Sequence, residues 1–250
     1  MKLLLLLLVM LNELSSDILC VAKSFLGVPY VAGTLETEGG ENLVVNTDSL
    51  DCTTFVELSV ASWLSKQNDS VSFEKQVQNL RYRGGVVNGY LSRLHYYTDW
   101  VLENESRGVW YEVKPEPEEE IWKCDTLMLS FMSKHPQNYP YLKNNAWAVD
   151  SIKNIEAKYA NRPIYYIGKE FLNFSPDKLP IRDGDILALV TNIEGLDVTH
   201  LGFAVWKGEQ LHLMHASMTH GKVVIDERSL FDYLQSRKSC PGVRVVRIVQ

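Results

Sequence analysis

One cysteine stands where a helix is predicted to begin. Cys52 follows Asp51, a good N-cap residue, and opens an apolar run that predicts a helix over Asp51–Lys66. The amino end of a helix carries unpaired N–H groups and about half a positive charge, which favours the thiolate form of a cysteine. The same N–H groups can receive the oxyanion that forms when a carbonyl is attacked. Cys52 is therefore a candidate nucleophile, and a buried structural cysteine is the alternative.

Histidines in a predicted hairpin supply a base for this thiol. His200, His212 and His215 lie within Thr199–Ser217, and we place the turn at Lys207-Gly208. That turn sets His200 directly opposite His215 on one face and His212 on the other, whereas a three-residue loop would separate the first two. A nucleophile, a base and a group that orients the base form the machinery of nucleophilic catalysis. For each histidine, the alternative is a structural role in the core or on the surface, with its hydrogen bonds satisfied there.

Composition and spacing argue against several other functions. Lys and Arg total 25 and Asp and Glu total 31, a net charge of −6, whereas binding to a phosphate backbone needs a basic surface. The cysteines form no C-x-x-C pair, and no nearby carboxylate completes a three-ligand zinc site with the opposed histidines. We therefore expect no metal, no cofactor and no nucleic-acid partner. The four cysteines are Cys20, Cys52, Cys124 and Cys240.

The elements that position these residues change type along the chain. Apolar spacing predicts helices in the first two-thirds, and short β-branched or aromatic runs predict strands from about Pro163, with one helix among them at Ser229–Arg237. This order predicts an α+β fold with an antiparallel sheet, in a single catalytic domain over residues 1–250. Beyond the Cys52 helix, the predicted helices lie around residues 73–80, 127–132 and 146–159. The predicted strands are Ile164–Ile167, Asp185–Thr191, Val198–Trp206, Gln210–Ala216, Lys222–Asp226 and Val243–Val249.

The first residues allow two interpretations. Lys2 and the apolar run Leu3–Leu11 resemble a secretory signal, although no A-x-A cleavage pattern follows. Alternatively, apolar residues continue at helical spacing through Ile18 and Ala22, as the buried stripe of a helix would. The nine apolar residues are too few to span a bilayer, which takes roughly 20. We expect residues 1–16 to be a signal or an amino-terminal helix. We also expect export to the periplasm or cell envelope without stable membrane association.

Five blocks of the chain resemble the NlpC-type papain-like cell-wall amidases. They are Gly27–Gly33, Asp51–Phe55, Arg182–Ile186, Thr199–Phe203 and Met214–Ser217. The blocks occur in the family's order, although Thr53 and Thr54 replace the usual Ser and Gly of the nucleophile block. The resemblance implies a papain-like core with an antiparallel sheet, and a Cys-His-His mechanism.

The resemblance also assigns a role to each block. Cys52 would attack the amide, His200 would take and return the proton, and His215 would orient His200. The block before the nucleophile carries a tyrosine that lies beside the active site in this family. The substrate contacts expected around the nucleophile are Tyr30, Asp51 and Thr53.

Three longer motifs resemble one branch of that family more closely. Asp51–Glu57, Pro29–Glu36 and Ser92–Tyr96 are similar to motifs of N-acetylmuramoyl-L-alanine amidases that act on anhydro-muropeptides. This resemblance implies cleavage of the lactyl amide between muramic acid and L-alanine. Two alternatives stay open: a γ-D-glutamyl-diaminopimelate endopeptidase of the same superfamily, and a muropeptide-binding module without catalysis.

Residues 67–162 separate the nucleophile helix from the histidine strands and are predicted to be a large, mostly helical insertion that shapes the substrate site. Aromatic rings crowd part of it, and such rings offer an apolar face to a pyranose and a polar edge to its hydroxyl groups. A small satellite core is the alternative. We expect a muropeptide as the partner and a monomeric protein. The candidate sugar-binding residues are Arg93, His95, Tyr96 and Trp100.

Overall fold

The computed structural model describes residues 18–36, 40–116 and 120–249. The predicted signal or amino-terminal helix at residues 1–16 lies outside the described residues. Residues 18–23 are helical, and Ile18, Ala22 and Phe25 pack into the core at the spacing of a helical stripe. No helix in the described part of the chain combines the length and apolarity needed to cross a bilayer.

An eight-stranded antiparallel sheet forms the centre of the protein. The strands are β1 (Trp110–Glu112), β2 (Trp122–Leu127), β3 (Arg162–Gly168), β4 (Ile186–Val190), β5 (Val198–Lys207), β6 (Gln210–Ser217), β7 (Lys222–Ile225) and β8 (Gly242–Ile248). Seven of them lie in the order β2-β3-β8-β4-β5-β6-β7, and β1 pairs with β8 outside this order. Strand β8 comes last in sequence but pairs with β4 on one side and with both β3 and β1 on the other.

Helix α1 (Cys52–Gln67) packs on β5 and β6 and is buried on nearly all sides from Thr54 to Ala61. Such a helix belongs to the core rather than to the surface. The other helices are α2 (Phe73–Arg81), α3 (Tyr97–Ser106), α4 (Phe131–Lys134), α5 (Ala146–Ala157) and α6 (Leu230–Gln235). Short 3-10 turns occur at Arg83–Gly85, Tyr90–Ser92, Pro136–Asn138 and Lys169–Phe171.

Apolar residues cover both faces of the sheet. In β4, Ile186 and Ala188 join the cluster under α1, whereas Leu187 and Leu189 join the cluster under α6. Successive strand residues point to opposite faces, so a sheet that is buried on both faces has continuous apolar strands. A third cluster lies within residues 90–164 and includes Tyr96 and residues of α4 and α5. The predicted α+β fold with an antiparallel sheet agrees with this architecture.

The prediction that residues 67–162 are mostly helical is wrong in part. Both β1 and β2 come from this stretch and belong to the main sheet. The helix predicted at residues 127–132 is also wrong, because β2 ends at Leu127 and only Phe131–Lys134 is helical. A short apolar run does not separate strand from helix by its periodicity. Here Leu127 pairs with β3, residues 128–130 belong to neither a helix nor a strand, and the helix begins at Phe131.

A buried ion pair joins α1 to α2. Arg81 Nε lies 2.7 Å from Glu57 Oε2, and both side chains are almost fully buried. Arg81 also donates a hydrogen bond to the carbonyl of Val44. Because a buried charge without a partner is very unfavourable, this pair fixes how the two helices meet.

Replacing Glu57 by alanine should lower the free energy of unfolding by roughly 3–5 kcal/mol, because Arg81 would stay buried without its counter-charge. Urea unfolding followed by circular dichroism measures the change. Lys153→Ala breaks the exposed Lys153–Asp150 pair and is the control. It should cost less than about 1 kcal/mol. An equally small cost for Glu57→Ala would contradict the assignment of the buried pair.

Candidate active site

Local hydrogen bonds hold Cys52 as the first residue of α1. The Asp51 carboxylate accepts from the Thr54 N–H at 2.8 Å, and the Thr54 hydroxyl oxygen accepts from the Asp51 N–H at 2.8 Å. The Phe55 N–H donates to the Asp51 carbonyl. A helix begins with four N–H groups that have no partner within the helix. Of these four groups, the Asp51 and Thr54 N–H groups are satisfied by side chains. The Cys52 and Thr53 N–H groups are left to hold a developing oxyanion.

The expected thiolate form of Cys52 is wrong for the resting protein. Burial, reinforced by the nearby Asp51 carboxylate, raises the pKa of the Cys52 thiol to about 11. Hydrogen bonds from the Leu201 N–H and the Thr53 hydroxyl group lower this pKa but do not offset burial. Cys52 is therefore a neutral thiol at rest, and it would need a base to remove its proton before it could act as a nucleophile.

Cys52 and His200 line the same cavity, which measures about 130 Å³. The far wall includes His95, Tyr96 and Trp100 from the residues around the start of α3. The loop between β4 and β5 closes another side. The cavity is smaller than a typical drug-sized ligand pocket of roughly 300–1,000 Å³.

His200 and His215 form a directly hydrogen-bonded pair. His200 Nε2 lies 2.5 Å from His215 Nδ1, and the two rings are nearly perpendicular. The prediction that His200 lies directly opposite His215 is wrong. Phe203 pairs with Met214, so the residue opposite His215 in this register is Gly202. The prediction of a shared face holds, since a shift of two residues keeps every side chain on its face.

Gly202 lets the two imidazoles meet diagonally across the strands. A Cβ atom at this position would lie 2.9 Å from His215 Cβ and would also clash with the Met214 carbonyl oxygen. Glycine in a strand often marks such a close approach. The absence of a side chain at Gly202 is therefore a geometric requirement of the histidine pair.

Burial keeps the histidine pair uncharged. It lowers the pKa of His200 to about 3, with further contributions from His215 and Arg237. It lowers the pKa of His215 to about 4, and Asp226 partly offsets this effect. Because His200 Nε2 is occupied by His215, Nδ1 is the ring nitrogen that can receive a proton.

Asp226 lies behind the pair, and the sequence interpretation did not select it. Its Oδ2 atom lies 3.8 Å from His215 Nε2, and its side chain is almost fully buried. Arg228 donates to both carboxylate oxygens at 3.0 Å. His212, on the other face of β6, contacts the Asp226 carbonyl through Nδ1 at 3.0 Å. The sequence signal for Asp226 is its position directly after β7, because β7 pairs with β6, the strand that carries His215.

The residues expected near the nucleophile are close to it. Tyr30 is half-buried, and burial raises the pKa of its phenol together with the charges of Cys52 and Asp51. Tyr30 pairs with Leu50, two residues before Cys52, in an isolated β-bridge, which brings it near the start of α1. Thr53 lines the cavity, whereas the Asp51 side chain is engaged in capping the helix.

Three of the four candidate sugar-binding residues line the cavity, but each also has a structural contact. His95 Nε2 bonds the Tyr90 carbonyl at 2.9 Å, so Nδ1 is its acceptor nitrogen. Tyr96 donates to Glu156 and accepts from the Met132 N–H. The Trp100 ring packs against that of Trp110.

Arg93 does not line this cavity. Its guanidinium is buried and pairs with Glu36 at 2.7 Å and Glu41 at 3.3 Å. All four cysteines are free. Across residues 18–36, 40–116 and 120–249, no group of three or more His, Cys, Asp or Glu side chains could hold a metal ion.

Comparisons with known proteins connect this geometry to a family. The family model described as AmiA-like, N-acetylmuramoyl-L-alanine amidase-like, matches residues 20–243. A crystal structure of an N-acetylmuramoyl-L-alanine amidase from Bacteroides uniformis is 39% identical, with a TM-score of 0.87 over 94% of this chain and 99% of that chain. No curated protein sequence matches the chain.

Two further solved structures are similar. A proposed xylanase from Bacteroides fragilis is 40% identical, with a TM-score of 0.84 over 91% of this chain and 99% of that one. A Legionella pneumophila protein is 22% identical, with a TM-score of 0.72 over 94% and 89% of the two chains, and shows a shared fold. The family match over nearly the whole length means that the chain belongs to the AmiA-like, N-acetylmuramoyl-L-alanine amidase-like family.

Proposed function

We propose that the protein is a cysteine-dependent N-acetylmuramoyl-L-alanine amidase of the papain-like NlpC type. The observation that carries the proposal is the cavity shared by Cys52, at a helix tip, and His200, which is bonded to His215. The family match supports the type of bond that we propose is cleaved, since the family's name refers to the amide between N-acetylmuramic acid and L-alanine. The substrate is a peptidoglycan-derived muropeptide, with anhydro-muropeptides preferred and export as the cellular context.

The mechanism starts from two neutral side chains. His200 Nδ1 takes the proton of Cys52 as the sulfur attacks the lactyl carbonyl. The N–H groups of Cys52 and Thr53 stabilise the oxyanion, and the His200 imidazolium then protonates the L-alanine nitrogen, which leaves with the peptide. Water, deprotonated by His200, then attacks the muramoyl thioester. The sugar acid is released as the His200 imidazolium returns its proton to the Cys52 sulfur. Each step moves one proton between named atoms and needs no metal.

A glycoside hydrolase is the second candidate, because one similar structure is a proposed xylanase. Most such enzymes place two carboxyl groups about 5–10 Å apart across the glycosidic bond. Asp197 is the carboxylate that lines the cavity with Cys52. Both of its oxygens accept backbone N–H groups, from Val198 at 2.9 Å and Thr98 at 2.7 Å. Because both carboxylate oxygens of Asp197 are bonded to the backbone, the amidase is favoured over the glycoside hydrolase.

Cys52→Ala and Cys52→Ser should each lower amidase turnover by at least about 1,000-fold, because both remove the sulfur nucleophile. Release of L-alanyl peptide from a muropeptide measures the rate. Cys124→Ser is the matched control, since Cys124 is an exposed free thiol outside the cavity, and it should keep wild-type activity. Dialysis against a chelator should also leave the rate unchanged. Near wild-type turnover in either Cys52 variant would refute the nucleophile assignment.

The acid limb of kcat/KM should lie near pH 4 rather than near 6.5. Since burial lowers the pKa of His200 to about 3 and of His215 to about 4, the base is lost only when the pH falls through that range. Initial rates between pH 3.5 and 8, with circular dichroism as a check on folding, measure the limb. A limb near pH 6.5 would mean that the histidine pair is hydrated in the working enzyme.

Mass spectrometry should identify the broken bond. From an anhydro-disaccharide tetrapeptide we expect the free tetrapeptide and the sugar acid, and acid quenching should trap the muramoyl group on Cys52. An endopeptidase would instead carry the anhydro-disaccharide still joined to L-alanyl-γ-D-glutamate on the thiol, because it leaves the lactyl amide intact. The free stem peptide has no lactyl amide, so the amidase should cleave the disaccharide substrate and leave the free stem peptide intact. Equal cleavage of both substrates would favour the endopeptidase.

A further inference from the structure

The carboxylate of Asp226 has a fixed position behind the histidine pair. Its backbone N–H donates to the Leu213 carbonyl at 2.9 Å, and its own carbonyl accepts from His212 Nδ1. Arg228 holds both carboxylate oxygens from the other side. The residue is 2% exposed, so solvent does not screen its charge.

His215 has one ring nitrogen that is left unsatisfied. Its Nδ1 meets His200, whereas its Nε2 is buried without a hydrogen-bond partner. Asp226 Oδ2 lies 3.8 Å from this nitrogen, which is too long for a hydrogen bond and short enough for a strong charge interaction. A proton on His215 Nε2 would face the carboxylate, whereas a lone pair there would be repelled by it.

The position of this proton decides which nitrogen of His200 is basic. If His215 carries its proton on Nε2, then its Nδ1 accepts, and His200 must donate from Nε2. His200 Nδ1 is then unprotonated and can take the thiol proton. The opposite tautomers would put a proton on His200 Nδ1 and leave it unable to act as a base.

We propose that Asp226 is a positioning residue that fixes the tautomer of His215 and, through it, makes His200 Nδ1 the base that deprotonates Cys52. This inference rests on the proposed cysteine mechanism. The proton moves from Cys52 Sγ to His200 Nδ1, and Asp226 stays ionised throughout. Its charge then stabilises the cation formed on the histidine pair.

Other groups around the pair act in the opposite direction. Arg228 after β7, Arg237 after α6 and His220 in the β6–β7 turn all disfavour a positive charge on His215. The ring of Tyr233 in α6 contacts His215 edge-on and adds no formal charge. Asp226 and Arg228 therefore have opposite effects on the same proton, and this difference in sign can be measured.

The test compares Asp226→Asn, which keeps the side-chain volume nearly constant, with Arg228→Gln, which removes the positive charge and keeps a polar side chain. In Asp226→Asn, kcat should fall about 100-fold with KM within about twofold, because the amide no longer selects the productive tautomer. The acid limb should move to lower pH by about one unit, because a negative charge is lost. In Arg228→Gln, where the side chain is half exposed, the limb should move to higher pH. Asp232→Asn, an exposed carboxylate on α6, is the matched control and should shift nothing.

An NMR titration of the His200–His215 pair follows the same acid limb without substrate. Shifts of opposite sign in the two variants support the inference even if no muropeptide is cleaved, in which case only the proposed function fails. An unshifted limb in Asp226→Asn, or shifts of the same sign in both variants, overturns the inference even if the enzyme cleaves muropeptides. If Asp226→Asn does not fold, the Arg228→Gln shift decides: an unshifted or lowered limb overturns the inference.

Discussion

The 2.5 Å contact between His200 and His215 is the constraint on which the site depends. Two imidazoles on neighbouring strands can come this close only if the strands are in one register and the residue between the rings has no side chain. The register comes from the pairing of β5 with β6, and Gly202 provides the space. The same strands pack against α1, so the helix that presents Cys52 is positioned by the strands that carry His200 and His215.

Burial determines how such a site can work. A helix tip and a nearby N–H group stabilise a thiolate, but the enclosed position of Cys52 disfavours any isolated charge more strongly. The same desolvation keeps both histidines neutral. Cys52 and the histidine pair therefore carry no charge at rest, and in the proposed mechanism charges separate only in the reacting complex. A buried carboxylate behind the pair is compatible with this arrangement because Arg228 already balances it.

Local sequence patterns were sufficient for the elements with strong periodicity. The helix after Asp51 and the strands from residue 162 onward lie close to their predicted positions, because capping residues and β-branched runs act over short distances. Helix α3 was missed, since its amino end is capped by Asp197 from a distant part of the chain. The role of Asp226 was hidden for the same reason, because its contact with His215 exists only after β6 and β7 pair. The raised pKa of Cys52 also depends on tertiary burial, which a local motif does not report.

The central place of β8 has a consequence for biosynthesis. This strand follows all the others in sequence, yet β1, β3 and β4 each need it as a neighbour. Ribosomes add about 5–20 residues per second, so the edges of these strands stay unpaired for seconds or longer while the chain is made. Sheet assembly that depends on such distant partners is slow and leaves nascent edges open to wrong pairing. The sheet can therefore reach its final order only after synthesis has passed Gly242–Ile248.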